Sequence, residues 1–191
     1  MSDDAVELVF SAVRDGELTI EDLSTRRICA FLGKTTGVLY HRYSSLDAFL
    51  FAVGQRGIGL LGERLQPSLT SAEGLGDVAV AFVEFGLDHP ALYELMFERR
   101  YDWAALRALG VIGREAPGSR LWDVMAAVIA RTGSDDPETD GRLLWAGLHG
   151  LVSLAASGRA NMRALDRTDR EVACAAARAL ARRLVGGKGR R

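Results

Sequence analysis

The chain has 191 residues and a mass of 20.7 kDa, which is enough for one or two domains. Hydrophobic residues make up 48% of it and charged residues 26%, so a packed core is expected and disorder throughout is excluded. The sequence contains no run of about 18 uncharged apolar residues, and residues 1–4 are acidic rather than basic. We therefore expect a cytoplasmic protein with no membrane span and no secretory signal.

The net charge of −1 is unevenly distributed. Residues 24–43 contain three Arg and one Lys but no Asp or Glu, and residues 178–191 contain five Arg and one Lys. A locally basic segment on a nearly neutral protein indicates an anionic partner for a small surface. The two cysteines, Cys29 and Cys174, are too few for a disulfide framework, and we predict that both are buried thiols.

Apolar residues recur at helical spacing almost throughout, and no run alternates over strand length, so we expect an all-α fold. The first predicted helix spans 5–13 and ends at Gly16. A short second helix lies between Ser24, which can cap its N-terminus, and Gly33. A third helix covers 36–43.

The following helix is long, and we predict that it joins two domains. It starts after Ser44 and Ser45 and ends at Pro67. Residues 70–73 have the pattern of a capping box that opens the next helix, and Pro90 starts another.

In the last third of the chain, residues 113–118 are predicted as a loop and Ser119 as the start of a helix. Residues 136–138, Asp-Pro-Glu, are a strong helix start because acids complement the positive end of the helix dipole. Residues 168–171 form a second capping box before the last helix. The basic tail, about 186–191, is predicted to be disordered and solvated.

Residues 18–50 carry the clearest functional pattern. Two short helices joined by a tight turn at Gly33 predict a helix-turn-helix, in which one helix supports and the next enters the major groove of DNA. The residues predicted to face inward are Ile28, Cys29 and Leu32 on the first helix and Val38 or Leu39 on the second. The absence of carboxylates over 24–43 favours contact with phosphates.

The stretch 23–43, LSTRRICAFLGKTTGVLYHRY, resembles the DNA-binding domain of the tetracycline-repressor (TetR) family. Residues 89–97 and 145–150 resemble a C-terminal domain type in that family named for its Trp-His-Gly residues. The resemblance implies a two-domain homodimer that represses transcription from a double-stranded DNA operator. It also implies that a small-molecule effector releases the repressor from DNA.

The resemblance assigns DNA contacts position by position. They are Ser24, Thr25, Lys34, Thr35, Thr36, Gly37, Tyr40, His41 and Arg42. The sequence departs from the family pattern at Leu46, where a phosphate-binding Lys is usual, and at Lys34, where an apolar residue is common. The connector from Gly16 to Ser24 is also longer than usual.

In the C-terminal domain the resemblance implies a chiefly apolar effector cavity with His149 as a polar anchor. The residues expected to line it are Phe82, Met96, Phe97, Trp122, Met125, Trp145 and His149. Most of these side chains, like Trp103, are also typical of an ordinary core. His149 fits a hydrogen-bonded core histidine as well as a pocket residue.

Enzyme and cofactor hypotheses find little support. His41, His89 and His149 are far apart, and the sequence has no Glu-x-x-His, nucleophile elbow or Cys-x-x-Cys. Residues 57–62 match the dinucleotide-binding fingerprint, but they lie inside a helical run. We therefore expect these glycines either to permit close helix packing or to loosen the helix that joins the two domains. We expect no catalytic residue, no metal site and no cofactor.

We interpret the chain as a transcriptional regulator with a DNA-binding domain over 1–46 and an effector-binding and dimerisation domain over 47–191. The helices at 137–157 and 169–185 are expected to pair with those of a second copy as a four-helix bundle. The small residues expected to permit this approach are Ala173, Ala176 and Ala179. The alternative is an all-α small-ligand-binding or interaction protein whose helix-turn-helix no longer binds DNA, and a third reading is an all-α hydrolase or oxidase.

Overall fold

A computed structural model of the chain describes residues 4–70, 74–112, 117–163 and 166–186. Regular structure in these ranges is helical, without a strand, so the predicted all-α fold is confirmed. The α-helices are α1 (Asp4–Arg14), α2 (Thr25–Phe31), α3 (Thr36–Tyr43), α4 (Leu46–Leu65), α5 (Leu75–Asp88), α6 (Pro90–Tyr93), α7 (Trp103–Ala108), α8 (Pro117–Arg131), α9 (Pro137–Ala156) and α10 (Asp169–Gly186).

Local sequence signals set several helix ends where they were predicted. Gly16, with φ of 77°, follows the end of α1 in a conformation that glycine adopts without strain. The Ser24 hydroxyl accepts a hydrogen bond from the Arg27 amide at 3.4 Å and caps α2. At the start of α10, the Thr168 amide donates to the Glu171 carboxylate at 2.7 Å and the Glu171 amide donates to the Thr168 hydroxyl at 3.2 Å. This reciprocal pair confirms the predicted capping box.

Other predicted helix ends differ from those in the structure or fall on residues that the structure does not describe. The last long helix before residue 136 begins at Pro117 rather than at Ser119, because proline fits the first turn of a helix. The helix from Pro90 has only one α-turn and continues as a π-helical turn, Glu94–Glu98. The predicted capping box at 70–73, the loop at 113–118 and the tail include residues 71–73, 113–116 and 187–191, which lie outside the described residues.

The chain divides into two compact units, of which the first comprises Met1–Leu60 and His89–Arg120. In this unit α4 lies very close to α6 and the π-helical turn. A Cβ atom at Gly57 would lie 2.7 Å from Met96 Sδ and 2.9 Å from Leu92 Cδ1. Gly57 therefore permits the close packing that was predicted. The same does not hold for Gly59, where a Cβ would meet only Arg56 at 3.6 Å, or for Gly62, where it would meet no described heavy atom within 4 Å.

Polar contacts also hold residues 89–102 against α1 and α4. The guanidinium of Arg99 donates to the Asp47 carboxylate at 3.0 Å, and the Asp102 amide donates to the same carboxylate at 3.3 Å. The ring Nδ1 of His89 lies 3.2 Å from the carbonyl oxygen of Arg14 at the end of α1. A segment distant in sequence thus belongs to the same unit as the first three helices, and the predicted boundary at residue 46 falls inside that unit.

The second unit comprises Leu61–Asp88 and Leu121–Arg191, and it is built on the packing of α10 against α5 and α9. The side chains of α10 that are fully buried are Ala173, Ala177 and Ala181. The residues predicted as its apolar face, Val172, Ala176, Leu180 and Leu184, are only half-buried. The prediction was wrong by about one position, because small side chains let α10 approach two neighbouring helices closely. Ala173 consequently packs inside the chain and is not available to a second copy.

Two further predictions about burial are wrong. Trp103 is 50% exposed and makes edge contacts with Phe51 and Tyr101 at the rim of a small cluster rather than in the core. Cys174 is half-buried, and burial raises the pKa of its thiol. Cys29 is 4% exposed, so the prediction of a buried thiol is confirmed there.

Candidate nucleic-acid interface

A tight turn between α2 and α3 forms the predicted helix-turn-helix. Gly33 has φ of 61°, and its amide donates to the Ala30 carbonyl at 3.2 Å. The Lys34 amide donates to the Cys29 carbonyl at 2.9 Å. These bonds end α2 by a glycine-dependent reversal and direct the chain into α3.

The buried faces of the two helices agree with the sequence pattern except at Leu32, which was predicted to face inward and is only half-buried. Ile28 and Cys29 of α2 are 0% and 4% exposed. On α3 the inward residue is Leu39, at 5% exposed, while Val38 is 50% exposed. Of the two alternatives that the sequence left open, the structure therefore places Leu39 in the core.

Most of the predicted contact residues lie on one exposed stretch from the turn through α3. Those exposed are Ser24, Lys34, Thr35, Thr36, Gly37, Tyr40, His41 and Arg42, and Thr25 is half-buried. The hydroxyls of Thr25 and Tyr40 are 3.0 Å apart and joined by a hydrogen bond. This bond connects the start of α2 to the middle of α3 and fixes the position of the Tyr40 ring.

Part of the positive charge of this stretch is paired with a neighbouring carboxylate, which the acid-free segment alone does not show. The Arg27 guanidinium forms an ion pair with Asp22, which lies just before the acid-free segment. Asp22 also accepts bonds from the Thr19 amide and hydroxyl, each at 2.9 Å. The Arg42 guanidinium donates to the Tyr43 hydroxyl at 3.2 Å. Sequence reasoning missed the Asp22 pair, because Asp22 lies before α2 and a spacing of five residues is not one that brings side chains together on a helix.

Gly37 has no packing reason to lack a side chain. A Cβ atom there would find its nearest heavy atom, the Thr35 hydroxyl oxygen, at 3.9 Å. Glycine lowers helix stability by about 1 kcal/mol relative to alanine. The structure therefore leaves room for a side chain at this exposed position of α3.

The predicted effector residues are divided between the two units. Phe82, Trp122, Met125, Trp145 and His149 belong to the second unit, and Met96 and Phe97 to the first. Within the second unit the rings of Phe82 and Trp145 meet edge to face at 5.7 Å, and the Trp122 ring lies against Gly141. Phe82 and Met125 are buried, whereas Trp122, Trp145 and His149 are half-buried.

A domain family described as tetracyclin repressor-like, C-terminal domain, matches residues 75–184, which is more than half of the chain. The chain belongs to this family. The matched range includes Trp145, His149 and Gly150, which carried part of the resemblance seen in the sequence. The predicted family is confirmed.

Solved structures support the same fold. The chain is similar to a protein of unknown function from Rhodococcus sp. RHA1, with a TM-score of 0.69 and 19% identity over 94% of each chain. It is also similar to a TetR-like transcriptional regulator from the same organism, with a TM-score of 0.64 and 19% identity over 97% of this chain and 98% of the other. A search of curated proteins finds no match.

The part of the chain that the structure describes contains neither a metal centre nor a membrane-spanning helix. No group of three His, Cys, Asp or Glu side chains there could hold a metal ion. None of the helices described is both long and apolar enough to cross a membrane.

The geometry of the turn predicts opposite effects for two exposed glycines. Gly33→Ala should lower the free energy of unfolding by about 1 kcal/mol, because an L-residue is strained at this positive φ. Gly37→Ala, the matched control inside α3, should leave stability unchanged or raise it by up to about 1 kcal/mol. Urea unfolding followed by circular dichroism measures both. Equal stability of the two variants would show that the turn is not as described.

Proposed function

We propose that this member of the family is a repressor that binds an operator through α2 and α3 and is released by a small, mostly apolar effector. The observation that carries the proposal is the exposed hydroxyl and cationic surface of α3, presented by a glycine turn and a packed supporting helix. An α-helix fits the major groove of DNA, and polar side chains on its outer face can reach phosphates and base edges. We propose that the protein acts in the cytoplasm.

The proposed DNA-binding domain remains residues 1–46, with effector binding and dimerisation in 47–191. Thr35, Thr36 and Gly37 form the start of α3, and a DNA backbone could approach closely there because Gly37 has no side chain. The hydrogen bond between Thr25 and Tyr40 supports a shared role for the two hydroxyls at one phosphate. Lys34 and Arg42 would add cationic contacts, which dominate affinity for DNA, and His41 would add a side chain that can form hydrogen bonds.

The alternative function, an interaction or carrier protein with a degenerate helix-turn-helix, rests on Leu46. This residue is half-buried at the start of α4, where the family pattern has a phosphate-binding lysine. One lost phosphate contact weakens a DNA-binding protein but does not remove the rest of its surface. A gel shift with DNA from upstream of its own gene distinguishes the two functions.

A homodimer is supported by an apolar surface that α9 and α10 leave uncovered. Leu143 and Leu154 of α9 are 56% and 46% exposed and lie on the same helix face as Gly147. Leu180 of α10 packs directly on Gly147, because a Cβ there would lie 2.4 Å from its Cδ2. The two helices thus present one continuous apolar face, and a second copy would bury it as a four-helix bundle.

The effector site is proposed along the aromatic face of α9 in the second unit. Gly141, Trp145 and His149 are spaced four residues apart, so they share one side of α9. Trp122 and Phe82 reach this side from α8 and α5. An aromatic surface with one histidine favours a mostly apolar ligand, because a phosphorylated ligand would need a cluster of arginines.

The DNA proposal predicts that Thr36→Ala and Tyr40→Ala each weaken operator binding by about 1–3 kcal/mol without changing the oligomeric state. Gly37→Ala should also weaken it, although this variant keeps its fold. Affinity should fall steeply with salt. Fluorescence anisotropy with a labelled operator measures each effect. Arg107→Ala, which removes an exposed cation of α7, is the matched control and should bind normally.

The dimer proposal predicts that Leu143→Arg and Leu154→Arg give monomers that lose operator binding, because a single half-site binds weakly. Sedimentation velocity at micromolar protein concentration measures the oligomeric state. Val124→Arg, at an apolar position of α8 that is 41% exposed, is the control and should remain dimeric. Leu180→Arg is a poorer probe because it also disturbs the contact with Gly147 inside the chain. A monomeric wild type would refute the dimer.

The effector proposal predicts that a compound found to release the operator binds Trp145→Ala and His149→Ala at least about tenfold more weakly, which is about 1.4 kcal/mol. Operator affinity without the compound should stay within about twofold. Linkage requires the operator to weaken the compound by the same factor as the compound weakens the operator, typically about 5–150-fold. Val124→Ala is the control. Equal ligand affinity with and without operator would refute the allosteric role.

A further inference from the structure

A cleft of about 440 Å³ opens between α1, α2 and α3, outside the residues proposed to bind the effector. This volume is in the range of small-molecule sites. Its inner wall includes Cys29 and Leu39, which are buried, and its lips include Leu8 and Val38. The lip residues are 54% and 50% exposed, so their apolar surface contacts water. Covering it would gain free energy in proportion to the area removed from water.

The charged residues of the cleft are mostly of one sign. Lys34 and Arg42 line it together with His41, and among the described residues the one carboxylate that lines it is that of Asp4. Arg42 is held in place by the Tyr43 ring, whose centroid lies 5.5 Å from the guanidinium carbon. Lys34 stands where an apolar residue is common in the family pattern, so its ammonium brings a charge to the edge of an apolar cleft.

These two features together select a ligand class. A phosphate alone would satisfy the cations but leave Leu8 and Val38 in water. A neutral hydrocarbon would cover the apolar lips but leave Lys34 without an anion. An organic anion with an apolar tail satisfies both requirements, because its head can pair with a cation while its tail fills the cleft.

We propose that this cleft binds an amphipathic organic anion, with its tail between Leu8 and Val38 and its acidic head at Lys34. The ligand would also compete with DNA, since Lys34, His41 and Arg42 belong to both sites. This competition rests on the proposed function, whereas ligand binding itself does not. By linkage, the operator and the anion weaken each other equally.

Titration calorimetry of the full-length protein with decanoate and with 1-decanol tests the binding. We expect decanoate to bind at least about tenfold more tightly than 1-decanol. Lys34→Met should remove that preference, because it keeps the length of the side chain and loses the charge. Leu8→Gln should weaken decanoate at least about tenfold without adding charge. The control Val124→Gln, in the second unit, should bind like the wild type.

The site is overturned if decanoate does not bind, if both lip and lysine variants bind it like the wild type, or if 1-decanol binds equally well. Binding that survives both variants would place the ligand elsewhere in the chain. Competition is tested separately, by operator affinity of the Leu8→Gln variant with and without decanoate. Decanoate should raise the operator Kd of the wild type but not of this variant. Failure of the operator to bind at all would refute the proposed function, but it would not affect the calorimetric test of decanoate binding.

Discussion

The close approach of α4 to α6 and the π-helical turn is the contact on which the first unit depends. It requires that Gly57 have no side chain, because Leu92 and Met96 occupy the space where a Cβ would lie. One turn earlier, a Cβ atom at Gly54 would lie 3.6 Å from the Tyr101 hydroxyl oxygen. These two positions let residues 89–112 pack against the helix that follows the helix-turn-helix. The unit that contains the helix-turn-helix is therefore completed by a part of the chain that lies far from it in sequence.

Polar contacts orient this packing more than they stabilise it. The pairs Glu7–Arg56 and Asp47–Arg99, at 2.8 and 3.0 Å, are partly exposed. Exposed pairs of this kind contribute about 0–1 kcal/mol each. These contacts fix the orientation of residues 99–102 relative to α4, because Asp47 at the start of α4 also accepts a hydrogen bond from the Asp102 amide. Asp47, at the start of α4, thus connects residues 99–102 to the helix that directly follows α3.

The second unit solves a different packing problem. Alanines at 173, 177 and 181 let α10 lie close to α5 and α9, so its larger apolar residues remain half-buried. The same helix pair leaves Leu143 and Leu154 exposed. The proposed dimer would remove the apolar surface of these two leucines from water. The buried alanines of α10 thus form the core inside the chain, and the exposed leucines of α9 form part of the proposed dimer face.

The sequence alone determined the features that depend on neighbours within one helical turn. The Ser24 cap, the Thr168–Glu171 box and the turn at Gly33 all follow from side-chain oxygens and backbone freedom at fixed local spacing. Only the tertiary structure decided which side of α10 is buried, that Trp103 is exposed, and that residues 89–112 join the first unit. It also decided that Lys34 borders an apolar cleft with Leu8. These outcomes depend on which distant surfaces meet, and helical periodicity identifies an apolar face without specifying what covers it.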